Sequence, residues 1–100
     1  WAKAITYEYP NFNIVGEAWM SSPAHISYWQ KDSKISSIEN YNSNLPSVRD
    51  FSLYTDLPYA LKEEKSWDQG MTKIYDSFSN DFLYPNINNI LVFFENHDTQ

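Results

Sequence analysis

Short apolar runs alternate with helix-like stretches along this chain. Residues 12–17 and 90–94 are apolar and lie between asparagine-rich turns, which predicts two buried strands, and residues 47–53 show a third strand-like pattern. Apolar spacing and start and stop signals predict helices over 1–9, 24–30, 56–64 and 71–82. This alternation predicts an α/β protein with parallel strands, right-handed crossovers and a sheet covered on both faces.

The clearest amphipathic pattern lies in residues 71–82. Its large apolar side chains fall on one helical face: Met71, Ile74, Tyr75, Phe78 and Phe82. That spacing predicts a helix packed against the core. Residues 31–46 are instead polar and rich in serine and asparagine, which indicates a long excursion over the surface.

The composition excludes several kinds of binding partner for this chain. The 100 residues carry a net charge of −6, with 7 basic residues, so the electrostatic footprint of a nucleic-acid-binding protein is missing. No apolar run approaches the ~20 residues of a membrane span, and the lack of cysteine excludes disulfides and thiolate zinc sites. The 18% aromatic content, with 4 Trp and 8 Tyr, suits the flat faces of sugar rings, although any single aromatic is more often a packing residue.

Glu17 ends the first apolar run, directly after Gly16 and two residues before Trp19. In α/β proteins the carboxyl ends of strands are where chemistry is usually done. An acid in such a partly apolar place can donate a proton to a glycosidic oxygen. The alternative is a strand-end glutamate that pairs with a lysine or an arginine.

Asn96, His97 and Asp98 follow the last apolar run. The imidazole can bond to sugar hydroxyls, and the Asp98 carboxylate can stabilise positive charge at an anomeric carbon. Metal binding is a rival interpretation, but the ligands lack motif spacing, so no metal site is predicted. A polar turn that satisfies backbone groups at the strand end is the other alternative.

Two segments together resemble a known family. Gly16-Glu17-Ala18-Trp19 is similar to the strand-five signature of the α-amylase family of glycoside hydrolases, and residues 93–99 are similar to its strand-seven signature. Residues 47–51 and 67–70 also fit the pattern of this family. Within the family, the chain resembles the neopullulanase and cyclomaltodextrinase branch most. The resemblance spans essentially the whole chain.

The resemblance implies a fold and a mechanism. The fold is the (β/α)₈ TIM barrel, of which residues 1–100 would be a segment of the catalytic domain, about strands five to seven with their helices, incomplete at both ends. The reaction is retaining hydrolysis of α-glucosidic bonds in starch-like oligosaccharides, pullulan or cyclodextrins. Glu17 falls on the general acid/base, Asp98 on the transition-state carboxylate, His97 on the histidine that holds sugar hydroxyls, and Trp19 on a residue lining the cleft.

The chain also departs from the family pattern. The family's nucleophile, an aspartate with an arginine two residues before it, has no counterpart before Glu17, where the one acidic residue is Glu8. We therefore expect the 100 residues alone to be inactive, and the isolated chain to be aggregation-prone or partly unfolded. No cofactor is expected in this stretch; calcium sites of the parent enzyme would draw on other segments.

Two other kinds of protein stay open. One is a non-catalytic sugar-binding module with Trp19, Tyr28 and Trp29 as stacking platforms, and the other is an amylase-like interaction scaffold that has lost activity. An α-glucan is the expected partner of the hydrolase and of the sugar-binding module. Neither a nucleic acid nor a membrane is expected as a partner. The sequence leaves the oligomeric state and the localisation open, and export is suggested by the resemblance alone.

Overall fold

The computed structural model describes residues 1–99, which form a small mixed α/β domain. The helices and strands follow one another along the chain as α1 (Ala2–Glu8), β1 (Val15–Gly16), α2 (Pro23–Tyr28), α3 (Lys34–Ser37), β2 (Ser47–Arg49), α4 (Phe51–Lys62), α5 (Thr72–Ser79) and β3 (Ile90–Leu91). Single 3₁₀ turns cover Asp81–Leu83 and Ile87–Asn89. None of the helices within residues 1–99 is long and apolar enough to cross a membrane.

The three strands form one parallel sheet in the order β1-β2-β3. Val15 pairs with Ser47, and Val48 pairs with Gly16 on one side and Ile90 on the other. Helices lie in both connections, as parallel pairing requires, because a parallel strand must be reached by a crossover. The prediction of parallel pairing is confirmed.

The predicted partial (β/α)₈ TIM barrel is wrong. The structure shows an open sheet whose strands are two or three residues long, and within residues 1–99 β1 and β3 are its outer strands. Barrel closure needs tilted strands that pair along both sides over a greater length. The expected strands 12–17 and 90–94 are shortened to Val15–Gly16 and Ile90–Leu91, because the residues that flank them do not pair with a neighbouring strand.

The predicted strand 47–53 also ends early, and the reason is local. Asp50 is the N-cap of α4, and its carboxylate accepts a hydrogen bond from the Leu53 amide at 2.9 Å. This cap starts the helix at Phe51, five residues before the predicted start at Asp56. Pro58, predicted to open the helix, lies inside it.

Two small clusters form the core. The larger one centres on four buried residues, Ile26, Val48, Phe51 and Tyr84. The smaller one joins α4 to α5 through Leu53, Ala60 and Ile74.

The α5 face predicted to pack against the core is mostly uncovered. Ile74 is buried, but four of the five apolar side chains of that face are at least half exposed: Met71, Tyr75, Phe78 and Phe82. The predicted helix 71–82 is also too long, because α5 ends at Ser79 and Phe82 lies in the 3₁₀ turn Asp81–Leu83. The spacing could not tell whether another element covers the apolar side chains.

Candidate functional site

Glu17 directly follows β1 and lines a pocket. The pocket has a volume of about 290 Å³ and is lined by residues 16–20 together with Trp29 and Leu45. A Cβ added to Gly16 would meet the Leu45 side chain at 2.7 Å, so the glycine allows this close approach. Both Glu17 and Trp19 of the predicted site therefore line one concavity.

Arg49 is the partner of the Glu17 carboxylate. It ends β2, next to β1 in the sheet, and its Nη1 lies 3.5 Å from Glu17 Oε2. The Arg49 guanidinium also lies over the Phe93 ring, 5.7 Å from its centroid. One cation thus links the ends of all three strands, and Glu17 adopts the arginine pairing that was the alternative to its catalytic interpretation.

Aromatic rings form a wall along the same edge of the sheet. Trp19 stacks on Phe51 with centroids 5.0 Å apart, and Phe51 meets Phe93 edge to face at 4.9 Å. Tyr54 stacks on Phe93 with the ring centroids 5.1 Å apart. Trp19 is 55% exposed, so one aromatic face stays open to a ligand while its neighbours hold it in place.

His97 and Asp98 lie in a tight polar turn after β3. Asn96 Oδ1 accepts a hydrogen bond from the Asp98 amide at 2.9 Å, and the Asn96 amide donates to Thr99 Oγ1 at 2.8 Å. His97 Nε2 lies 3.1 Å from Asp98 Oδ2, and both side chains are at least half exposed. This segment therefore forms the polar turn that was the alternative for this motif.

The four predicted site residues fall into two pairs. Glu17 and Trp19 share the pocket at β1, whereas His97 and Asp98 contact one another in the turn after β3. Among residues 1–99, no hydrogen bond or ion pair joins one pair to the other. Both pairs follow the outer strands in the chain, Glu17 directly after β1 and His97 and Asp98 after β3, and Arg49 ends the central strand β2.

Arg49 and Phe93 were not predicted as site residues. Arg49 lies inside the predicted strand 47–53, and it ends β2 in the structure because Asp50 caps α4. The predicted strand therefore did not mark Arg49 as a strand-end residue. Phe93 gave no signal either, because a phenylalanine in an apolar run predicts a core residue.

Asp50 is a further acid at this edge, directly after Arg49. Burial raises the pKa of its carboxyl, against the lowering effect of the hydrogen bond from Leu53, and the nearby Asp81 charge adds to the rise. Over residues 1–99, no cluster of three or more His, Cys, Asp or Glu side chains could hold a metal ion. No protein-family model matches the chain.

Proposed function

We propose that this chain contributes an α-glucan site to a retaining glycoside hydrolase similar to the α-amylase family. The observation that carries the proposal is the shared pocket of Glu17 and Trp19, which puts a carboxyl group beside an exposed aromatic face. Sugar rings bind through such faces, and glycosidic oxygens need a proton donor within hydrogen-bond reach. The two sequence motifs, in the family's order, support the same assignment.

The four site residues have different roles in the proposed reaction. Glu17 protonates the leaving glycosidic oxygen and later activates water, Asp98 supports the oxocarbenium-like transition state, and His97 holds sugar hydroxyls. Trp19 stacks on a sugar ring. Retaining hydrolysis also needs a nucleophilic carboxylate, and the resemblance assigns that role to no residue of this chain, so the 100 residues alone are expected to release no reducing sugar from maltooligosaccharides.

Arg49 places a condition on this mechanism. Its guanidinium lies 3.5 Å from Glu17 Oε2, so a glycosidic oxygen that binds at this carboxylate oxygen has to share it with Arg49. The Phe93 ring, 5.7 Å from the guanidinium, helps to hold Arg49 in that position.

Sugar binding is the first test. We expect the chain to bind maltohexaose, with Trp19→Ala weakening the binding about five- to thirtyfold, since stacking of one aromatic contributes on the order of 1–2 kcal/mol. Trp67→Ala is the matched control, because Trp67 is 96% exposed and lies outside the pocket. Isothermal titration calorimetry gives both affinities, and equal affinity of the Trp19 variant and the parent chain would refute the proposed site.

An inactive sugar-binding scaffold is the second candidate. The ion pair between Glu17 and Arg49 favours it. The substitution Glu17→Gln distinguishes the hydrolase from the scaffold when it is made in the longer enzyme that the first proposal implies. A hydrolase loses turnover and keeps most of its sugar binding, whereas a scaffold has no turnover with either residue.

A further inference from the structure

A further pocket lies beside the starts of β1 and β2. It has a volume of about 600 Å³ and is lined by α1, by the connection from α1 to β1, and by residues of the segment between α2 and β2. Asn13 of its lining comes two residues before β1, and Pro46 directly precedes β2. None of the residues that line the pocket of Glu17 and Trp19 lines this one, so it is a separate site.

Backbone hydrogen bonds fix the walls of this pocket. The Lys31 amide donates to the Leu45 carbonyl at 2.7 Å, and Gln30 forms a parallel bridge with Leu45, which joins the end of α2 to the approach to β2. The Phe12 amide donates to the Tyr9 carbonyl at 2.9 Å and closes the turn between α1 and β1. The pocket is therefore formed without a ligand, as sites for small molecules usually are.

The charged residues of the lining are both positive. Lys3 and Lys31 line the pocket from different segments, and the rest of the lining is uncharged. None of the ion pairs within residues 1–99 includes either lysine. Asp32 follows Lys31 but does not line the pocket, and its carboxylate accepts a hydrogen bond from Asn42 Nδ2 at 2.8 Å. Two lysines thus share one concavity in a chain of net charge −6, which favours an anionic ligand.

The uncharged part of the lining suits a flat ring. Tyr7 is 87% exposed and Phe12 is 58% exposed, so both rings offer open aromatic surface, and prolines at positions 10 and 46 add apolar surface. Three side-chain amides of the lining can donate hydrogen bonds to oxygen atoms of a ligand: Asn11, Asn13 and Asn44. The pocket therefore combines a surface for a ring with donors for an acidic group.

We propose that this pocket binds a small aromatic carboxylate, with the ring against Tyr7 and Phe12 and the carboxylate beside Lys3 and Lys31. Lysine ammonium groups form charge-assisted hydrogen bonds with carboxylates. A carboxylate carries one negative charge, so the net charge of −6 opposes its binding less than that of a phosphate ester, which carries nearly two. The proposal does not depend on the sugar site.

Cinnamate and cinnamamide test this assignment, because they share a flat ring and differ in charge. An NMR titration of the 100-residue chain should shift the amide signals of residues 10–13 and give an affinity for cinnamate at least about fivefold higher than for cinnamamide. Sodium chloride at about 0.5 M should remove most of this difference by screening. Equal affinities at low salt, or shifts that do not include residues 10–13, would overturn the proposal.

Substitutions then locate the charge and the ring. Lys3→Gln and Lys31→Gln should each weaken cinnamate binding about threefold and leave cinnamamide binding unchanged. Lys65→Gln is the matched control, because it removes the same charge at an exposed position outside the pocket. Phe12→Ala should weaken the binding of both ligands, whereas Trp19→Ala should affect neither. An equal loss of cinnamate affinity in Lys65→Gln and in the two pocket variants would reveal a general charge effect and refute the site.

Discussion

Asp50 has two tasks at the end of the central strand. Its carboxylate caps α4 through the Leu53 amide, and its backbone amide donates to the Leu91 carbonyl at 3.0 Å, which attaches the helix start to β3. The same position buries the carboxyl, and burial raises its pKa above the ordinary value of 3.8. The residue that fixes the helix start therefore makes the fold sensitive to pH.

The direction of that sensitivity follows from proton linkage. A carboxyl whose pKa is raised in the folded state holds its proton more tightly there, so its contribution to stability is present at low pH. The contribution is lost as pH rises from about 4 through the raised pKa. Burial also raises the pKa values of Asp56 and Asp81, which act in the same direction.

We predict that Asp50→Asn flattens this pH dependence. The amide oxygen of asparagine can still accept from Leu53, so the cap is kept while the titrating group is removed. Urea unfolding between about pH 4 and pH 7 should show stability falling with pH in the parent chain and falling less in the variant. Equal slopes for the two chains would contradict the assignment, and Asp68→Asn is the exposed control.

At the scale of elements, Gln30 joins segments that are far apart in sequence. It is 1% exposed, its Nε2 donates to the Asn86 carbonyl at 2.8 Å, and its Oε1 accepts from the Asn86 amide at 3.0 Å. A weaker bond reaches the Pro46 carbonyl at 3.4 Å. One side chain thus holds the end of α2, the approach to β2 and the approach to β3 together.

Gln30→Met should destabilise the fold by about 2–4 kcal/mol. Methionine has a similar volume, so the packing is largely kept, but the Asn86 amide and carbonyl lose their partner. Chemical denaturation measures the loss. Gln69→Met is the matched control at an exposed position, and a loss below about 1 kcal/mol for Gln30→Met would show that water replaces the glutamine.

Sequence patterns predicted these elements unevenly. The apolar runs indicated where the strands lie and that they run parallel, because both properties depend on local pattern and chain order. The early start of α4 at Phe51 depends on a local signal that was missed, because Asp50 caps the Leu53 amide three residues further on. The hydrogen bonds of Gln30 could not be predicted, because they join residues far apart in the sequence. Glu17 and Trp19 line one pocket, and their roles in a sugar site stay predictions. The pairing of Glu17 with Arg49 depends on strand order in the sheet.

At the scale of the whole molecule, the chain exposes more surface and has a larger radius than a compact protein of its size. Its accessible surface is 7162 Å², whereas a compact protein of 11.8 kDa exposes about 5,900 Å². Its radius of gyration is 15.0 Å, against about 13 Å for a compact domain of this length. Val92 and Phe94, just after the outer strand β3, are both more than half exposed.

This surface predicts self-association of the isolated chain. Outer strands with unpaired backbone groups and apolar neighbours pair with other chains, and a lysine near such an edge opposes the pairing. Light scattering across a wide concentration range should show a mass that grows in the parent chain and grows less in Val92→Lys, with Trp67→Lys as the exposed control. A monomer with a sharp, concentration-independent thermal transition would contradict this prediction.

The order β1-β2-β3 also has a consequence during synthesis. Strand order in space is the order in which the ribosome releases the strands, so each new strand finds its neighbour already made. Val48, fully buried in β2, can pair with β1 before Ile90 exists, and no earlier strand has to open to admit a later one. Assembly can therefore proceed in one direction along the nascent chain, with β3 and the turn at Asn96 joining after β1 and β2 have paired.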